Sequence, residues 1–210
     1  MPRSLLVQLS LVLCVVFSQA AIAQDANVLD FLKVGDKAPD VEFQPLGTSE
    51  NAGSEKIKLI SLTEKGPVVL VVLRGWPGYQ CPVCFRQMGE LIGKKEELKQ
   101  AGATEVLVYP GPADELRERA QEFLKDVALP EPFVMVVDPD YAFTNLYHLR
   151  WDEPRETAYP STFVIGQDGR VVYRKTSSSH GDRAKADDVV EKVTMMHAAT
   201  ATGQEIPQGR

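Results

Sequence analysis

From Val68 to Leu73 the chain carries six consecutive apolar residues. A strand apolar at every position has to be covered on both faces, so it belongs inside a sheet with helices on either side. Pro67 precedes this run, and an amphipathic stretch from Phe85 to Leu98 follows, with Phe85, Met88, Leu91, Ile92 and Leu98 on one stripe and Ala101-Gly102 as its stop. Between strand and helix lies Arg74-Gly75-Trp76-Pro77-Gly78-Tyr79-Gln80-Cys81-Pro82-Val83-Cys84. Two cysteines three apart therefore sit at a strand-to-helix junction.

The remaining patterns fix the order of elements. Val41 to Phe43 and Ile57 to Leu62 read as two edge strands or a hairpin, with Gln44 to Lys56 as a surface loop. After the CxxC helix come a strand at Glu105 to Tyr109 and a helix striped by Leu116, Ala120, Phe123, Leu124 and Val127, opened by Pro112 and closed by Pro130. A buried strand at Phe133 to Val137 ends at Asp138-Pro139-Asp140 and leads into a short helical segment through Tyr147. Thr162 to Ile165 and Arg170 to Tyr173 flank the hairpin signal Gly166-Gln167-Asp168-Gly169, and Ala184 to Ala198 reads as a last helix. Alternating strands and helices give parallel pairing by right-handed crossovers, and the hairpin adds an antiparallel edge. The expected fold class is α/β, three layers with a central mixed sheet flanked by helices.

Residues 1–23 carry a single charge, Arg3, then an apolar stretch from Leu5 to Phe17 and small residues up to Ala23. This is the pattern of a cleaved secretory signal, and the stretch is short of the about 20 residues a membrane span needs. Cys14 lies mid-stretch behind Leu13, not at the cleavage site where a lipid-modified cysteine would stand. The expectation is a signal peptide at 1–23, one domain at 24–199 and a flexible tail at 200–210, exported to a periplasm or cell envelope without stable membrane insertion. After the leader the chain retains 22 basic against 29 acidic residues with no run of Lys or Arg, which argues against nucleic acid as a partner.

Two cysteines remain after the leader, and a bridge between residues three apart constrains the unfolded chain too little to serve stability. Their use is chemical. If the helix begins at Pro82, Cys81 is its cap and Cys84 lies in its first turn, where free N–H groups and the helix dipole favour a thiolate. Cys81 is then the nucleophile toward a disulfide, and Cys84 resolves the mixed disulfide. Pro82 fixes the first helical position at no cost in hydrogen bonds. Trp76 and Tyr79 are candidates for an apolar lip beside the thiols or for ordinary packing.

The segments Val34-Gly35-Asp36-Lys37-Ala38-Pro39-Asp40, Val68 to Cys84, Asp138-Pro139-Asp140 and Tyr159-Pro160-Ser161-Thr162-Phe163-Val164-Ile165 together resemble the redoxins, the alkyl hydroperoxide reductase and thiol-specific antioxidant family, across Val34 to Ala198. The resemblance implies a thioredoxin-like fold, with Pro160 in a cis peptide bond beside the CxxC. It also implies a second chemistry. Pro77, Cys81 and Cys84 match the peroxiredoxin pattern Pro-x-x-x-Thr-x-x-Cys, with Cys84 as the cysteine that attacks peroxide and Cys81 as the one that condenses with its sulfenic acid. Here a thiol replaces the hydroxyl of that pattern and Pro160 stands where its arginine is found, so that Arg74 or Arg150 would have to stand in.

The combined expectation is an exported thiol oxidoreductase that cycles Cys81 and Cys84 between dithiol and disulfide, leaning to thiol–disulfide exchange, with peroxide reduction as the alternative. Its partners would be a protein disulfide or a peroxide as substrate and a thiol reductant such as a thioredoxin-like protein. No tightly held cofactor is implied. Zinc would need four ligands, and there is no second CxxC. Copper delivery through the two thiols and His148, and a non-catalytic interaction module, are the remaining readings; His180 and His197 read as surface or part-buried residues, and Asp36 and Asp40 as turn residues.

Overall fold

The computed structural model describes residues 31–47 and 55–202. Among these described residues, seven strands and six helices follow one another as β1 (Glu42–Pro45), β2 (Ile57–Lys58), α1 (Leu59–Thr63), β3 (Val68–Val72), α2 (Pro82–Ile92), α3 (Lys95–Gln100), β4 (Thr104–Gly111), α4 (Leu116–Phe123), β5 (Phe133–Pro139), α5 (Ala142–Leu146), β6 (Ser161–Ile165), β7 (Val171–Thr176) and α6 (Ala186–Thr202). The strands form one sheet in the order β2-β1-β5-β4-β3-β6-β7. β3, β4 and β5 are parallel, while β6, β7, β1 and β2 join antiparallel. This is the three-layer α/β arrangement with a mixed sheet.

β3 shows why its sequence is apolar throughout. Val69, Val71 and Leu73 point into a core shared with α2, α3, α4 and α6, through Met88, Leu91, Leu98, Ala120 and Val193. Val68, Leu70 and Val72 point into the opposite core, with Leu59, Phe143, Tyr147 and Phe163. All six are fully buried, and each such side chain contributes about 1.5–3 kcal/mol by leaving water.

Pairing direction places the chemistry. The C-terminal ends of β3, β4 and β5 lie together, and because β6 runs opposite to β3 (Val72 faces Ser161) and β7 opposite to β6 (Ser161 faces Thr176), the start of β6 and the end of β7 join them. The segment 74–81 and the loops before β6 and after β7 therefore gather at one end of the sheet, as ligand sites of open α/β sheets do.

Three elements depart from the patterns read in the sequence. Ile57 to Leu62 holds only two strand residues before turning into α1, because the Asp40 carboxylate accepts the Ile60 N–H at 3.1 Å and starts a helical turn. The run from Phe85 to Leu98 is two helices, not one. α2 stops at Gly93, and Lys94, with its N–H bonded back to the Leu91 carbonyl and its amine on Asp187 at 2.8 Å, redirects the chain into α3. α6 continues to Thr202, past the residue read as the start of a tail, while 203–210 and the leader at 1–23 lie outside the described residues. Asp36 and Asp40 do serve turns, accepting the N–H groups of Lys33 and Val41.

Candidate active site

The turn that delivers the cysteines depends on Gly75. With φ at +65° it brings the chain so close to β4 that a Cβ would stand 1.8 Å from the Pro110 carbonyl oxygen, and the next residue, Trp76, donates its N–H to that same oxygen at 3.0 Å. A side chain at 75 would push this turn off the sheet. Pro77 lies half-buried within the turn, and Trp76 packs on the core with the Arg119 guanidinium 4.7 Å from its ring centroid. The Trp76 ring is therefore part of the packing under the turn. The exposed lip is Tyr79, which is 45 % accessible.

Cys81 is the N-cap of α2 and Pro82 its first residue. The Cys81 sulfur accepts the Cys84 backbone N–H at 3.3 Å, and the Cys81 carbonyl accepts the Phe85 N–H at 3.1 Å. Cys84 lies a turn deeper, under the end of β3, where its sulfur accepts the Arg74 backbone N–H at 3.3 Å. Both cysteines are in the free thiol form.

The two sulfurs differ in acidity. The thiol of Cys84, hydrogen-bonded to Cys81, together with the backbone N–H groups and the charge of Arg183, outweighs the burial of Cys81 and lowers its pKa to about 6. Burial pushes Cys84 well above the ordinary thiol range, reinforced by its bond to Cys81. The two shifts run in opposite directions, down at the cap and up at the interior position.

The arginine that reaches the sulfurs is neither Arg74 nor Arg150. The Arg74 side chain turns away to Glu156 (Nε–Oε2 3.0 Å) and to the Arg155 carbonyl, and contacts the Tyr79 hydroxyl; only its backbone serves Cys84. Arg150 is spent on the carbonyls of Trp151 and Thr157 and lies over the Tyr141 ring. Arg183, from the loop between β7 and α6, places Nη2 at 3.4 Å from the Cys84 sulfur and 3.9 Å from that of Cys81. Its Nη1 meets Gln87, a buried α2 side chain that also donates to the Thr162 hydroxyl. The signal for Arg183 is topological. An arginine in the loop leaving β7 must lie at the same end of the sheet as the CxxC.

Pro160 lies at that end too, but its peptide bond is trans; the cis bond among the described residues is Glu131–Pro132. The reason is pairing. The Tyr159 N–H is bonded to the Leu149 carbonyl at 2.8 Å and the Pro160 carbonyl to the Ser177 N–H at 3.0 Å, so this segment enters β6 as extended backbone held from both sides. His148 and His197 are exposed, and His180 stacks on Trp151.

Beside Cys81 opens a groove of about 460 Å³, lined by Pro82, Phe85 and Phe123 together with Glu122, Lys125 and Asp126. Phe85, read in the sequence as part of a core stripe, is 46 % exposed here and meets Phe123 edge-on at 5.9 Å. A cavity of similar size near Lys65 and His197 lies at the opposite end of the sheet, away from the thiols.

The sequence profile of the Redoxin family matches residues 33–190, three-quarters of the chain and the whole of this site. The chain belongs to the redoxin family. Solved structures similar to this redoxin include the peroxidoxin BcpB of Mycobacterium tuberculosis (19 % identity, TM-score 0.57, covering 80 % of this chain and 97 % of that one). Others are a peroxiredoxin-like protein of Aquifex aeolicus (17 %, 0.61, 79 % and 88 %) and a putative protein disulfide isomerase of Bacteroides thetaiotaomicron (19 %, 0.59, 83 % and 96 %). At these identities the likeness establishes the thioredoxin-like fold. A search of curated proteins finds no significant match. Family and thiol pair together make this redoxin a thiol-based oxidoreductase.

Proposed function

We propose that this redoxin carries out thiol–disulfide exchange, with Cys81 as attacking thiolate and Cys84 as resolving thiol. The observation that carries the reading is the opposite displacement of the two thiols, Cys81 down to about 6 and Cys84 up. The Cys81 thiolate attacks one sulfur of a substrate disulfide, forming a mixed disulfide and releasing the other sulfur as thiolate. Cys84, losing its proton, attacks the Cys81 sulfur, expels the substrate's second thiolate and leaves the Cys81–Cys84 disulfide. A thiol reductant, such as a thioredoxin-like protein, returns the pair to the dithiol. The groove beside Cys81 suits a polypeptide disulfide, being far larger than a peroxide needs. The leader-like residues 1–23 support export to a periplasm or cell envelope as the place of this chemistry.

Peroxide reduction is favoured by one observation: the Cys84 sulfur has two donors aimed at it, the Arg74 N–H and Arg183 Nη2. In that case Cys84 attacks an O–O bond, becomes a sulfenic acid and releases water or alcohol, and Cys81 displaces hydroxide from it to close the disulfide. Stopped-flow oxidation of the reduced protein by hydrogen peroxide and by a protein disulfide, in wild type, Cys81→Ser and Cys84→Ser, separates the two. Exchange predicts rapid reaction with the protein disulfide, lost in Cys81→Ser, and a peroxide rate no better than that of free cysteine. A fast peroxide reaction that survives Cys81→Ser and is lost in Cys84→Ser establishes the peroxidase.

A further inference from the structure

Glu156 touches neither sulfur, yet it joins both segments that do. Its carboxylate receives the Arg74 guanidinium in a two-point pair, Nε to Oε2 at 3.0 Å and Nη2 to Oε1 at 3.1 Å, on a side chain only 13 % exposed. Arg74 is the residue whose backbone N–H meets the Cys84 sulfur. The same Oε1 lies 3.0 Å from His180 Nε2. The His180 carbonyl in turn accepts Arg183 Nε at 2.8 Å, and Arg183 Nη2 faces both thiols. Trp151 stacks on the His180 ring at 5.3 Å and on Tyr159 at 4.8 Å, and the Thr157 hydroxyl donates to the Arg74 carbonyl, so the loop that carries Glu156 is itself fixed to the end of β3. The neighbouring Asp182 is occupied by Lys175 at 2.8 Å.

We propose that Glu156 is a positioning residue that, by pairing with Arg74 on one side and His180 on the other, holds Arg183 over the Cys81 and Cys84 sulfurs. A guanidinium on a half-buried side chain stabilises a thiolate only while it is kept in place. The carboxylate supplies that constraint. The inference rests on the reading of Cys81 as the attacking thiol, and it makes a prediction opposite in sign to simple electrostatics. Deleting a nearby negative charge makes a thiolate easier to form, whereas releasing Arg183 makes it harder.

The test is a pH titration of thiolate absorbance in the reduced full-length protein and in Glu156→Gln, Arg183→Met and the double variant. Positioning predicts that Glu156→Gln moves the Cys81 midpoint upward by about one pH unit, as Arg183→Met does, and that the double variant moves it no further than Arg183→Met alone. A downward or absent move in Glu156→Gln, or additive moves in the double variant, overturns the proposal. Because Glu156→Gln strips the charge partner from buried Arg74, His180→Phe serves where that variant fails to fold. It keeps an aromatic ring against Trp151, removes only the bond to Glu156 and is expected to raise the midpoint by a smaller amount; an unchanged midpoint there overturns the proposal equally. Cys81→Ser and Cys84→Ser distinguish this from failure of the underlying reading. If the low titration survives Cys81→Ser and vanishes in Cys84→Ser, the attacking thiol has been misassigned whatever Glu156 does.

Discussion

The backbone N–H of Cys84 points at the sulfur of Cys81 across 3.3 Å, closing the first turn of α2 on its own cap. This contact adds to the two larger causes that make the cysteines unequal, the hydrogen bond from the Cys84 thiol to the Cys81 sulfur and the burial of Cys84. Both sulfurs have donors, but for the interior one, shielded by β3 and α2, burial outweighs the Arg74 N–H and the Arg183 guanidinium that face it.

Alkylation should follow this inequality. With a pKa about 6, Cys81 is ~90 % thiolate at pH 7, while Cys84 remains protonated. Iodoacetamide labelling of the reduced protein is expected to modify Cys81 first, its rate rising with pH to half-maximum near 6 and flat above. Peptide mapping at short times, with Cys81→Ser slowed at least about tenfold at neutral pH, checks the assignment.

Arg183→Met should change the redox equilibrium as well as the rate. Arg183 favours the reduced state by stabilising its thiolate, so its loss lowers the reduction potential, by about 30 mV for each tenfold change in the equilibrium constant. Equilibration against a glutathione buffer, with the dithiol fraction read by mass, measures it. A potential that rises instead would mean that Arg183 serves the disulfide form.

Phe85 lies at the mouth of the Cys81 groove with half its surface in water, so it can be changed without opening the core. Phe85→Ser is expected to slow reduction of a protein disulfide several-fold, about 1 kcal/mol of lost apolar contact, while leaving the rate with a small aromatic disulfide nearly unchanged. Equal losses on both substrates would show that the groove does not hold the polypeptide.

Glu105 is a carboxylate in the wrong place for stability. It sits fully buried on β4 between Val69 and Phe133, with no hydrogen-bond partner for either oxygen among the described residues, and burial drives its pKa well above the carboxylate range. The folded state therefore holds a proton that the unfolded chain releases from about pH 4.3 upward, so stability falls as pH rises through the interval up to the folded pKa and levels off beyond it. Glu105→Leu should raise Tm by about 5 °C or more at pH 8 and by less at pH 5. Melting curves at the two pH values test it; a gain independent of pH would place the benefit in packing alone.

What was legible in the chain and what was not divides along physical lines. The apolar run at 68–73 reads as a central strand, and a proline directly after Cys81 suits the first position of a helix, so the place of the cysteine pair at a helix start follows from local rules. Ile57 to Leu62 is apolar enough to read as a strand, yet its fate is decided by Asp40, whose carboxylate accepts the Ile60 N–H from twenty residues earlier. Phe85 satisfies helical periodicity but faces a groove, because the face of α2 that turns inward is the one carrying Cys84, Gln87, Met88 and Leu91, which leaves Phe85 at its edge. Arg183 and Glu156 carry no local signal at all. They are brought to the cysteine end of the sheet by the antiparallel placement of β6 and β7, and the same pairing holds Pro160 extended and trans.

Which sulfur meets the substrate is recorded directly in the covalent intermediate. The reduced Cys84→Ser variant, mixed with an oxidised protein substrate and mapped by mass spectrometry, is predicted to accumulate a mixed disulfide at Cys81, with Cys81→Ser accumulating none. A mixed disulfide found only in Cys81→Ser, or sulfenic acid forming rapidly at Cys84 on exposure to hydrogen peroxide, would contradict the assignment of Cys81 as the attacking thiol.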